Sequence, residues 1–107
     1  MNESDKKIYS YLGLSARARK LVSGEFSAEK AVKDGSCLLL IIAKDASDNT
    51  RKKFVDACNY RNVEYIEFSD KEQLGHSIGK ESRAVVAITD EGFATAIIRC
   101  FGNGGKS

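Results

Sequence analysis

The segment "GHSIG", Gly75 to Gly79, has the letters of the G-x-S-x-G nucleophile elbow. The elbow requires a strand before it and an acid and a histidine after it. Here a helix pattern precedes the motif, and His76, the only histidine of the chain, lies inside it. Ser77 therefore has no downstream base. The overlapping "GHSIGKES" approaches a phosphate-binding loop but is one residue short between its glycines, and Glu81 stands where a magnesium-binding hydroxyl belongs. The terminal "GNGGKS" ends in the same letters with Cys100 at the first glycine position. Three scattered cysteines and one histidine offer no ligand pair at zinc spacing. Asp90 and Glu91 are adjacent and suit a helix cap. No catalytic residue, metal or cofactor is expected.

A different chemistry is offered by "LVSGEFSAEKAVKDG", Leu21 to Gly35. An apolar pair meets the lone Gly24, and an amphipathic helix pattern follows at once. A strand-to-helix turn of this kind exposes backbone N–H groups and can hold an anion. An ordinary tight turn has the same letters.

The chain around these segments has 107 residues, enough for one core, with 42% hydrophobic and 30% charged residues. Its longest apolar run, Cys37 to Ala43, is far below the roughly 20 residues of a membrane span. The N-terminus is polar and has no apolar signal core, so a cytoplasmic location is expected. Cys37, Cys58 and Cys100 are expected to be reduced, each in or beside an apolar pattern. Net charge is +2, with residues 1–53 at +4 and residues 54–107 at −2. "ARARK" (Ala16 to Lys20) and "RKK" (Arg51 to Lys53) are the densest basic clusters.

Periodicity then sets out the elements. Ser4 can cap a first helix whose stripe holds Ile8, Leu12, Ala18 and Val22, with Gly13 as a break or kink. A second helix follows Gly24, buries Ala28, Ala31 and Val32, and stops at Gly35. "LLLIIA" reads as a strand covered on both faces. A third helix spans Thr50 to Arg61 with Phe54, Ala57 and Cys58 inward. "VEYIEF" is a second strand, and "SDKE" is a capping box, Ser69 with Glu72, opening a short helix. "RAVVAIT" is a third strand, and Asp90 caps a last helix. Alternating strands and helices predict a three-layer α/β/α sandwich with a small mixed sheet. Residues 1–101 form its single domain, and residues 102–107 are expected to be a flexible tail.

Taken in order, "ARK-LVSG", "LLLIIAKDAS", "LGHSIGKE" and "AITDEGF" resemble the kink-turn RNA-binding superfamily of ribosomal proteins, to which archaeal L-seven-Ae and eukaryotic L-thirty-e belong. The resemblance covers Leu12 to Ala94 and is nearest to the bacterial YlxQ-like branch. It implies a non-catalytic RNA-binding protein that captures a kink-turn or similar bent element with sheared G·A pairs. In such proteins the glycine ending the first short strand and the next helix N-terminus meet the RNA, so Gly24 takes that place and Lys30 lies one turn on. Many members place Asn-Glu two and three residues after the glycine. This chain has Phe26 and Ser27, and a carboxylate for guanine would have to come from Glu25 or Glu29. The lost base contact is worth about 1–3 kcal/mol of discrimination.

The second contact by resemblance is the loop Lys80, Glu81, Ser82 and Arg83, whose cations suit phosphates. Arg17 and Lys20 could extend this basic face. Implied partners are ribosomal RNA or an untranslated-region element, with the protein a monomer. An alternative is a protein-interaction module on the same fold that has lost tight RNA binding; exposure of Phe26 would support it.

Overall fold

The structure, a computed structural model, describes residues 2–105, the side chains of residues 103–105 excepted. Five helices and four strands alternate: α1 (Glu3–Arg17), β1 (Leu21–Ser23), α2 (Glu25–Asp34), β2 (Leu39–Ile42), α3 (Asp48–Arg61), β3 (Glu64–Glu67), α4 (Lys71–Ser77), β4 (Val85–Ile88) and α5 (Glu91–Gly105). The sheet order is β1-β4-β2-β3. β4 runs antiparallel to both β1 and β2, while β2 and β3 are parallel. The sheet is therefore mixed, as expected.

Side-chain alternation along the two central strands divides the core. Leu39, Ile41, Val86 and Ile88 face one layer, where they meet Ile8 and Leu12 of α1, Leu74 of α4 and Ile97 of α5. Leu40, Ile42, Val85 and Ala87 face the other, where they meet Ala28 and Val32 of α2 and Phe54 and Cys58 of α3. Every residue of β2 and β4 is buried, which is why both read as unbroken apolar runs rather than alternations. Burial also raises the thiols of Cys37 to about 12 and of Cys58 to about 11, so both are protonated core residues.

Four expectations change. The cap of α1 is Asn2, whose side chain accepts from the Asp5 amide at 2.7 Å; Ser4 lies inside the helix. Gly13 does not break α1, which continues to Arg17. Val22 belongs to β1 rather than to a helical stripe, and it pairs with Ala87. The cap of α4 is Asp70, which accepts from the Gln73 amide at 2.8 Å. Ser69 is turned to φ 70° and accepts the Tyr9 hydroxyl at 2.7 Å, a tertiary bond that takes it out of the cap.

Other signals hold. Gly35 adopts φ 84° at the end of α2, and Asp90 accepts from the Phe93 amide at 3.0 Å. Helix α5 takes in residues 102–105 of the expected tail; Lys106 and Ser107 lie outside the described residues. Among the described residues, no helix is long and apolar enough to cross a membrane.

Candidate nucleic-acid interface

Antiparallel pairing of β1 with β4 places the end of one beside the start of the other. Ser23 pairs with Val86, and the Gly24 amide donates to the Val85 carbonyl at 3.0 Å. Gly24 then turns the chain with φ 90° and ψ 159°, a conformation that a residue with a Cβ rarely adopts. Helix α2 starts at once, and no side chain caps it. The amides of its first turn are left facing outward with the positive end of the helix dipole.

The loop between α4 and β4 approaches the same corner. Gly75 is buried against it: a Cβ at Gly75 would overlap the backbone carbonyl of Glu81 and come within 3.0 Å of the Ser82 Cα. The Gly75 carbonyl accepts the Lys80 amide at 2.9 Å. Arg83 then ties the loop to β1, its Nε donating to Ser23 Oγ at 3.1 Å and its guanidinium to the Ser82 carbonyl at 3.0 Å. Arg83 is half-buried, and in this geometry it positions the loop beside Gly24. The exposed Lys80, Glu81 and Ser82 form the loop's outer surface.

Between this loop, the end of α1 and the first turn of α2 lies an open cleft of about 510 Å³. Arg17, Arg19 and Lys80 line it together with Ser23 and Ser27, and no carboxylate does. Among the described residues none of the three cations enters an ion pair. The other basic cluster is spent internally: Arg51 binds Glu67 at 3.1 Å, Lys52 binds Asp56 at 3.1 Å, and Lys53 binds Glu29 at 3.1 Å. Unpaired cations beside open helix amides give this cleft a positive potential that suits an anion.

Arg19 was not among the expected contacts. It follows the end of α1 in a left-handed turn at φ 59°, and the sequence gives no hint of which "ARARK" side chain that turn carries into the cleft. Lys20 is exposed but does not line the cleft; its carbonyl accepts the Thr89 amide at 2.9 Å.

The other side of the first turn carries one exposed ring among charged side chains. Phe26 is 85% exposed and lines a shallow groove of about 380 Å³ with Glu29, Lys30, Lys33 and Asp34, one face of α2 at helical spacing. The carboxylates nearby are already engaged. Thr50 Oγ1 donates to Glu25 at 3.1 Å, and Thr50 is itself held in the Ser47 cap of α3. Glu29 pairs with Lys33 and Lys53, both at 3.1 Å.

Hydrogen bonds from Lys33, then from Lys53, hold the Glu29 carboxyl below its ordinary 4.5. A depressed folded-state value stabilises the fold above the unfolded value and loses that contribution as pH falls through the folded one. Glu29→Gln is thus expected to cost only a few tenths of a kcal/mol at neutral pH, as for a solvent-screened pair. That cost disappears at pH values well below 4.5. Urea denaturation at the two pH values checks this.

Ser77 of the GHSIG segment is committed to its own helix. Ser77 ends α4, and its hydroxyl donates to the Leu74 carbonyl at 2.8 Å, an ordinary helical back-bond. Among the described residues no group of three His, Cys, Asp or Glu side chains could hold a metal ion.

The chain as a whole is similar to known proteins. Residues 6–98 match the model of the ribosomal protein L7Ae/L30e/S12e/Gadd45 family. The RNA-binding protein YlxQ of Bacillus subtilis (strain 168) is 48% identical over 90 residues, 84% of this chain and 90% of that protein. The RNA-binding protein YlxQ of Enterococcus faecium is 36% identical over 95 residues, 88% of this chain and 91% of that one. A Bacillus halodurans protein of unknown function has a similar structure, with TM-score 0.86 and 36% identity, covering 90% of this chain and 97% of that one. The Giardia lamblia 15.5kD RNA binding protein shares the fold at TM-score 0.79 and 22% identity, over 99% and 91% of the two chains.

Proposed function

Since this chain belongs to the ribosomal protein L7Ae/L30e/S12e/Gadd45 family, we propose that it is a non-catalytic RNA-binding protein that captures a kink-turn or similarly bent RNA. The observation carrying this reading is the basic cleft: Arg17, Arg19 and Lys80 converge without ion-pair partners beside the uncapped start of α2. The relatives named for RNA binding support the same class of ligand. A sharp bend crowds phosphates together, and a cleft with three cations and several open amides suits that charge density better than it suits a straight duplex. Binding would act on RNA by population shift, holding the bent conformer.

Gly24, Glu25, Phe26, Ser27 and Lys30 form one contact in this proposal, and Lys80, Glu81, Ser82 and Arg83 the other, with Arg17 and Arg19 between them. Ribosomal RNA or an untranslated-region element are the natural candidates, bound by a cytoplasmic monomer. Exposure of Phe26 favours a second reading, a protein-interaction module on the same fold.

Titration at fixed salt separates the two. A kink-turn RNA is compared with a partner whose sheared G·A pairs are changed to Watson–Crick pairs. Preference for the kink-turn by tenfold or more is the expected result. Equal, salt-sensitive binding to both would leave only backbone attraction and remove the kink-turn from the reading. Binding to neither would favour the protein-interaction module.

A further inference from the structure

The groove beside Phe26 holds an unexplained feature. A phenylalanine in the first turn of a helix, next to open amides and a basic cleft, is 85% exposed. A single exposed apolar residue is common on a protein surface; its placement is what matters here. Ser27, the next residue, lines the basic cleft, while Phe26 lines the groove on the other side of the same turn. Among the described residues no cation lies over the Phe26 ring, in contrast to Tyr60, which has the Arg61 guanidinium 5.5 Å from its centroid. The ring face is open.

We propose that Phe26 is a stacking platform for one unpaired RNA base whose flanking phosphates lie towards the basic cleft and Lys30. The proposal rests on the RNA reading above and says how this chain manages without a hydrogen-bonding side chain at that position. Glu25 is tied to Thr50, and Glu29 to Lys33 and Lys53, so neither carboxylate is free of an existing partner to read a base edge. A phenyl ring offers no edge recognition but accepts any base on its face. Lys30, which makes no ion pair within 4.0 Å among the described residues and feels the nearby Asp34 charge, is available to a phosphate. The result is recognition of an extruded base with little preference for which base it is.

The test uses the whole chain and a kink-turn RNA with 2-aminopurine placed in turn at each unpaired position. Phe26→Tyr, Phe26→Leu and Phe26→Ala are compared with the native protein, and thermal melts verify that each folds. Expected are native-like affinity for the tyrosine variant and a loss of roughly tenfold or more for both leucine and alanine. One 2-aminopurine position should also respond to native and tyrosine proteins and lose that response with alanine. Native-like affinity of the leucine variant, or the absence of any Phe26-dependent 2-aminopurine response, would overturn stacking while leaving the RNA reading in place. If the native protein shows no preference for the kink-turn, the RNA reading fails first and the stacking proposal with it. Unchanged RNA affinity in all three variants would assign Phe26 to a protein surface instead.

Discussion

Gly75→Ala is expected to destabilise the fold by about 3 kcal/mol or more, lowering the melting temperature by roughly 15 °C. A helical glycine usually gains about 1 kcal/mol on conversion to alanine, so the sign here is set by packing, not propensity. The new methyl group would meet the Glu81 carbonyl and the Ser82 Cα, and backbone cannot swing aside as a long side chain would. Either α4 or the loop must move. Movement of the loop carries Lys80 out of the cleft and strains the Arg83 link to Ser23, so RNA affinity should fall even where the variant still folds.

Gly13→Ala is the control, since it too replaces a glycine within a helix. Its added Cβ comes no nearer than 3.4 Å to the Ser77 carbonyl, the edge of ordinary contact. It should melt at or slightly above the native temperature. Similar destabilisation by the two alanines would mean that the close approach at Gly75 is not what fixes the loop.

That contrast shows what was and was not legible in the sequence. Both glycines sit in apolar patterns and look alike as letters; Gly13 reads as a break or kink and does not break its helix, while Gly75 reads only as a letter of the GHSIG and LGHSIGKE segments. The distinction depends on which backbone lies across the helix, and sequence does not carry that. The central strands were readable because burial on both faces leaves no polar residue in β2 or β4. Strand β1 was not readable by periodicity, since three residues are too few to show a period and Val22 falls four places after Ala18. Before the family resemblance it entered only as one of two readings of the turn at Gly24, a strand-to-helix turn or an ordinary tight turn.

Two of the expected caps, Ser4 and Ser69, failed in a related way. Ser69 and Asp70 are adjacent and either can cap α4, and the choice was made by Tyr9, sixty residues away in sequence. The α2 end of the candidate site was legible because a glycine with φ 90° has a local cause. The cleft was not, since its walls come from α1, β1, α2 and the α4–β4 loop.

Removing the charge of that cleft should have the largest effect on RNA binding. In Arg17→Gln/Arg19→Gln/Lys80→Gln each side chain keeps most of its length and loses its cation. All three residues are exposed and unpaired among the described residues, so stability should change by less than about 1 kcal/mol. Kink-turn affinity at 0.1 M salt should fall on the order of 100-fold, from three lost phosphate contacts of about 1 kcal/mol each. The slope of log affinity against log salt should become shallower by about 2 to 3, the counterions no longer released.

The salt slope is the discriminating quantity, because a damaged fold lowers affinity without altering the number of phosphates met by the remaining folded protein. Lys52→Gln with Lys6→Gln removes two cations already paired with Asp56 and Glu3, and it should leave the slope nearly unchanged. Equal slopes for the native and triple-substituted proteins would place the RNA elsewhere on the surface. A reduced slope with the kink-turn preference intact would give the cleft a purely phosphate role. Selectivity would then reside in the first turn of α2, where Gly24 opens the helix and Phe26 presents its ring.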